Sequence, residues 1–194
     1  MLDGTQIGAL LQQPACEGVS EPVRVDACKT SVHGEGLLKS GLTKAAPSCS
    51  SCHGTHGIQK HDNEKSKMSH ANAPDTCGVC HETVLKEWKD QSAHGLAWQA
   101  GKKGPVCTDC HMDSHSIKDP VSPVVRQHMP NACGGCHKEV IETYRDSFHG
   151  KATALGWSSV AMCSDCHMPH SNLPASDPRS SVNPDNLKTT CGAC

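Results

Sequence analysis

The chain has 194 residues with 20 acidic and 18 basic side chains, and its formal net charge of −2 gives no electropositive surface for nucleic acid. Aromatic residues make up 3%, with a single Phe148 and a single Tyr144, while Cys and His each number 14. That composition excludes a conventional apolar core over this length, and the absence of any run of about 18 apolar residues excludes a membrane-spanning helix.

The first segment, "MLDGTQIGALLQQPACEG", has neither the basic start nor the apolar stretch of an export signal. Cys16 and Cys28 follow, 12 positions apart, with Lys29 after the second. Next come His33 in "SVHG", "CSSCH" over Cys49, Cys52 and His53, and His56. "CGVCH" follows over Cys77, Cys80 and His81, then a segment whose Val84, Leu85 and Trp88 share one helical face, then His94 in "SAHG". "CTDCH" places Cys107, Cys110 and His111 ahead of His115. "CGGCH" at Cys133, Cys136 and His137 opens the same plan again, with Val140, Ile141 and Tyr144 on the face and His149 in "SFHG". "CSDCH" supplies Cys163, Cys166 and His167 before His170, and the chain closes on "TTCGAC" with Cys191 and Cys194.

Five complete Cys-x-x-Cys pairs are each followed at once by histidine. Zinc ribbons and disulfide frameworks do not require that histidine; c-type haem attachment does. Each cysteine adds its sulfur across a haem vinyl group, and the next residue becomes the proximal iron ligand. Haem is flat, large and mostly apolar, so it supplies the core material the side chains lack. The expectation is about six covalently attached haems c, the terminal pair included.

The spacing repeats. Cys77 to Cys133 and Cys107 to Cys163 are each 56 residues, while Cys133 to Cys191 and Cys49 to Cys107 are each 58. The register divides the chain into 1–74 with a degenerate first site, 75–130, 131–188, and the start of a fourth unit at 189–194. By that register, a histidine belongs after Cys194, and the expectation is a longer chain. His33, His94 and His149 form one column of histidines, and His56, His115 and His170 form another. Six such residues match six sites and favour bis-histidine ligation throughout. A histidine three or four residues past a proximal ligand cannot reach the opposite face of the same iron, so it serves a neighbour; which one is left open. His61, His70 and His128 fit no column and read as solvated or hydrogen-bonded, Met68, Met129 and Met162 are the competing distal ligands, and Ser66, Ser122 and Ser180 read as turns or caps. Cys16 and Cys28 form a disulfide, stand as remnants of a lost site, or bind a seventh haem over Lys29.

These motifs resemble the multihaem c-type cytochromes of anaerobic respiration, with their repeated "CxxCH…SxHG…CxxCHxxH" units. The resemblance covers Cys49 to Cys194, with a weakened copy before it. It implies short helices and long loops wrapped around a haem chain with little or no sheet, which 17 glycines and 12 prolines suit. It further implies electron transfer, without substrate turnover, along low-potential haems in the periplasm or outside the cell, after removal of an export signal. The implied partners are other redox proteins, or copies of the chain in a filament. The enzymatic alternative, a multihaem reductase or oxidase, needs one iron with an open position.

Overall fold

The computed structural model describes residues 25–194, and among them there are twelve short helices and no strand. They are α1 (Val25–Lys29), α2 (Val32–Leu38), α3 (Cys49–His53), α4 (Ala73–Gly78), α5 (Glu82–Gln91) and α6 (Ala93–Gln99). The remainder are α7 (Cys107–Cys110), α8 (Pro123–Gly134), α9 (Lys138–Asp146), α10 (Phe148–Ala154), α11 (Cys163–His167) and α12 (Leu187–Cys191). Short helices joined by loops are what the resemblance implies. No helix is long and apolar enough to cross a membrane. Cys16 lies outside the described residues, and with it the choice between disulfide, remnant and seventh haem.

The chain forms two units. In the first, residues 25–48 are joined by the segment Asp113–Ile117. Ser31 starts α2: its Oγ accepts from Gly34 N at 3.0 Å and donates to Cys28 O at 2.7 Å. The Asp113–Ile117 segment is tied in by Val32 N donating to Ile117 O at 2.9 Å.

The second unit, Cys49–Met112 with Lys118–Cys194, shows the repeat directly. α5 packs on α6 and α9 on α10, each pair following one attachment motif and leading to the next. The buried apolar residues among those described are few: Ala73, Trp88 and Val106 cluster with Leu85 and Trp98, and Val125, Ile141, Ala152, Val160, Met162 and Leu173 are scattered. Large apolar side chains near the motifs face outward instead, with Val79 82% and Phe148 71% exposed. The face read from the sequence is split: Trp88 and Ile141 are buried, Leu85 and Tyr144 half-buried, and Val84 and Val140 exposed.

The loop ahead of α4 is rebuilt ahead of α12. The Asn72 side-chain amide donates to Glu64 O and Ser66 O at 2.8 and 2.9 Å, and the Asn186 amide donates to Pro178 O and Ser180 O, both at 2.9 Å. Thr76 and Thr190 each donate to a carbonyl nine residues back. Cys191 thus occupies the same local structure as Cys77.

Candidate functional site

Each attachment motif is one helical turn. The His81, His111 and His137 amides donate to Cys77 O, Cys107 O and Cys133 O at 3.0, 3.0 and 2.9 Å. In that turn two cysteines three apart project from one face, with the histidine beside them.

The motifs fall into two kinds, a distinction that sequence reading missed although the letters carry it. "CGVC" and "CGGC" end a helix, and the next helix folds back over the glycine: a Cβ on Gly78 would lie 2.1 Å from Leu85 Cδ2, and one on Gly134 would lie 2.8 Å from Ile141 Cγ1. "CTDC" and "CSDC" begin a helix, and their aspartate caps it, accepting from Val106 N at 2.6 Å and Met162 N at 2.7 Å. The same carboxylates tie back to the preceding motif's helix or loop. Arg126 donates to both oxygens of Asp165 at 3.2 and 2.8 Å, and His70, at the equivalent register, meets Asp109 at 2.8 Å. His70 is therefore the hydrogen-bonded histidine expected. Ser66 and Ser180 are buried in turns, while Ser122 is the N-cap residue of α8.

The "SxHG" column has an equally local cause. Ser92 and Ser147 cap α6 and α10, accepting from Gly95 N and Gly150 N at 3.3 and 3.1 Å, as Ser31 does in the first unit. A Cβ on Gly95 would sit 2.0 Å from Trp88 O, and one on Gly150 would sit 2.1 Å from Tyr144 O. Serine turns the chain, glycine lets the new helix press on the old one, and the histidine between them is fixed on the first turn.

Two proximal histidines face a column histidine. The His94 and His137 ring centroids are 6.1 Å apart at 46°, and those of His111 and His170 are 6.1 Å apart at 17°. An imidazole nitrogen sits about 2 Å from a metal it binds. With the ring centre about 1 Å further on, two imidazoles on opposite faces of one iron have centroids about 6 Å apart. The residues fit the group. Burial, then the neighbouring His137, pushes the His94 pKa below its ordinary value; burial, then His170 and His81, does the same for His111. Burial also lowers that of His170. Each shift favours the neutral form, which is the form that ligates metals.

The attachment sites follow one another in space as in sequence. Ser51 and Val79, inside the first two complete motifs, line one cleft of about 270 Å³. The Cys77 and Cys107 thiols lie close enough to perturb each other, which lowers the Cys77 pKa to about 7 and raises that of Cys107; Cys133 and Cys163 perturb each other in the same sense. Cys136 lies in electrostatic range of Cys110, and Cys191 and Cys194 in range of Cys166. Cys133, His137, Val140, Ile141, Tyr144 and Cys163 border a cavity of about 30 Å³ where two sites meet.

The remaining site residues are placed as follows. His33 lies on α2 in the first unit, where His115 stands 3.5 Å from Asp113. His53 and His167 close α3 and α11, while Cys49 and Cys52 lie on α3. Cys80 lies between α4 and α5. His56 is exposed beside Thr55, and exposed His149 has Phe148 as a ring neighbour at 6.0 Å. Met162 is buried, Met68 and Met129 are half-buried, and Met112 and Met168 adopt φ of 68° and 52°. Among the described residues, no three His, Cys, Asp or Glu side chains converge on one point; what converges are pairs of imidazoles and pairs of thiols.

No family model and no solved structure matches the chain. It is 29% identical over 211 aligned residues to the multiheme cytochrome MtrA of Shewanella baltica strain OS185. The alignment covers 97% of this chain, which spans 58% of that relative's length. This likeness over nearly the whole chain, joined to five complete attachment motifs, supports its place in the multihaem c-type cytochrome family.

Proposed function

We propose that the chain carries electrons along a row of about six covalently bound, bis-histidine, low-potential haems c in anaerobic or extracellular respiration. The observation that carries this reading is the unbroken adjacency of successive attachment sites, from the cleft shared by Ser51 and Val79 through the thiol pairs to Cys166 beside Cys191. When bound, haem supplies a one-electron iron couple; the peptide fixes spacing, ligand and burial.

The cysteines and proximal histidines hold the groups in the order of the chain. His94 serves the iron that His137 binds, and His170 serves the iron that His111 binds, which the two 6.1 Å ring separations support. Both assignments cross from one repeat to another, so ligation ties the repeats together. His33, His56, His115 and His149 are the further distal ligands. The chain acts in the periplasm or outside the cell, after export. It exchanges electrons with other redox proteins or, in a filament, with copies of itself.

Pyridine haemochrome spectroscopy with intact mass tests the reading. About six haems per chain are expected, and reduced protein in which histidines close every iron scarcely binds carbon monoxide. A colourless protein, or one carrying zinc on its thiols, overturns it; a stoichiometric carbon monoxide complex points to an open catalytic iron.

A further inference from the structure

The loop after His170 does more than carry that histidine. Two residues on, Asn172 reaches α6: its side-chain Nδ2 lies 3.0 Å from His94 Nδ1, and its Oδ1 lies 2.6 Å from Ser92 Oγ. Its backbone carbonyl accepts from Ala93 N at 3.4 Å. Ser92 is fully buried, and its Oγ also accepts from the His94 and Gly95 amides at 3.1 and 3.3 Å. Leu173, 4% exposed, anchors the next position of the loop, and its carbonyl accepts from Ser180 Oγ at 2.8 Å. The amide is therefore held from both ends of its own segment, and it grips the ring of a histidine 78 positions away.

We propose that Asn172 is the positioning residue for His94, holding the ring by Nδ1 so that Nε2 is the nitrogen presented to the iron of the His137 site. The proposal rests on the assignment of His94 to that iron. An imidazole has two nitrogens, and the hydrogen bond at one decides which is left for metal and how strongly it donates. With Nε2 on iron, Nδ1 carries the proton and needs an acceptor. A half-turn of the Asn172 amide brings Oδ1 to Nδ1–H and Nδ2–H to Ser92 Oγ, at the cost of the Ser92 hydroxyl's bond to Oδ1 and of one of the two backbone amides from which Ser92 Oγ accepts.

The repeat makes the placement specific. The same backbone bond recurs in the first unit, where Val32 N donates to Ile117 O at 2.9 Å. At this register the three copies carry Ile58, Ile117 and Asn172, so only the last sets a side-chain acceptor there. One iron in the row thus gains a ligand whose basicity is tuned from the second coordination shell. The segment from His170 to Asn172 also acts on two irons at once, since the His170 ring faces His111 at 6.1 Å.

The test uses the haem-loaded chain with four variants, each checked for haem number by intact mass. His94→Ala is expected to add one carbon monoxide-binding, high-spin haem per chain. Asn172→Leu, of similar size but without an acceptor, is expected to turn up to one haem per chain partly high-spin and to shift one set of low-spin g-values in electron paramagnetic resonance. Asn172→Asp keeps the acceptor and is expected to remain low-spin, with that haem's potential lowered by the added charge. Asn172→Leu identical to the parent in g-values and carbon monoxide binding, while His94→Ala gains its high-spin haem, overturns the positioning role and leaves the ligand assignment standing. His94→Ala without a high-spin haem overturns both. Should Asn172→Leu load fewer haems, Asn172→Asp and Asn172→Gln decide: parent-like g-values in the aspartate variant and shifted ones in the glutamine variant support the role, and identical spectra in both overturn it.

Discussion

Gly150 has no room for a side chain, because a Cβ there would stand 2.1 Å from the Tyr144 carbonyl oxygen and 2.7 Å from Arg145 Cα. Gly150→Ala must push α10 away from α9, at a cost of about 2–3 kcal/mol by the usual range for overpacking. Gly104, whose added Cβ would meet nothing within 4 Å, is the control, and Gly104→Ala is expected to change stability by no more than about 0.5 kcal/mol. Chemical denaturation of the two loaded variants, followed by circular dichroism, measures the contrast. Equal stabilities would mean the close approach is not what selects glycine in "SxHG". Met112 and Met168 carry a different strain. Both sit in left-handed backbone one residue past a proximal histidine, where the first copy has Gly54 at φ 78°. A β-branched residue is tolerated worst there, so Met168→Val is expected to lose about 1–2 kcal/mol relative to Met168→Gly, read in the same denaturation experiment.

Among the elements, the one-turn helices that carry the second kind of motif are too short to hold themselves. α11 is held by Asp165, which accepts from Met162 N and from both arms of the Arg126 guanidinium, while Arg126 also donates to Ser158 O at 2.7 Å and Val160 O at 3.1 Å. Burial pushes the Asp165 carboxyl up, but the Arg126 and Met162 hydrogen bonds outweigh it and hold the pKa below the ordinary carboxylate value. A carboxylate depressed in the folded state contributes stability that is fully present above its unfolded value near pH 4 and lost as pH falls through the folded one. Asp165→Asn is therefore expected to lower stability by about 1–2 kcal/mol at neutral pH, the pair being only partly buried, and to flatten that acid limb. Denaturation midpoints from pH 2 to 7 check it. In the other copy His70 stands where Arg126 does, 2.8 Å from Asp109, so His70→Arg is expected to be tolerated with its haem count unchanged.

For the whole molecule, nine buried apolar residues among those described are too few to organise this length of chain. The expectation is that folding and haem loading are one event, as they are in small metal-stabilised domains. Protein whose attachment cysteines are replaced by alanine is expected to lose cooperative unfolding and to be cut by protease under conditions that leave the loaded chain intact. A cooperative thermal transition in the haem-free chain would show that the peptide folds alone.

The Cys-x-x-Cys-His motifs and their recurrence were legible in the letters alone, because covalent haem attachment would demand fixed residues at fixed spacing. The short-helix character with little or no sheet came with the family resemblance those motifs carry, and the described residues hold twelve short helices and no strand. The two kinds of motif were legible as well, in Gly78 and Gly134 against Asp109 and Asp165, once the copies are aligned. Which imidazole faces which came from the packing: His94 meets His137 and His170 meets His111 across 43 and 59 positions, and nothing local to any of the four encodes its partner. Asn172 was invisible for the same reason. A ring's partner is set by how one helix turn lies on another repeat's loop, which depends on all the packing between them rather than on any one stretch of chain.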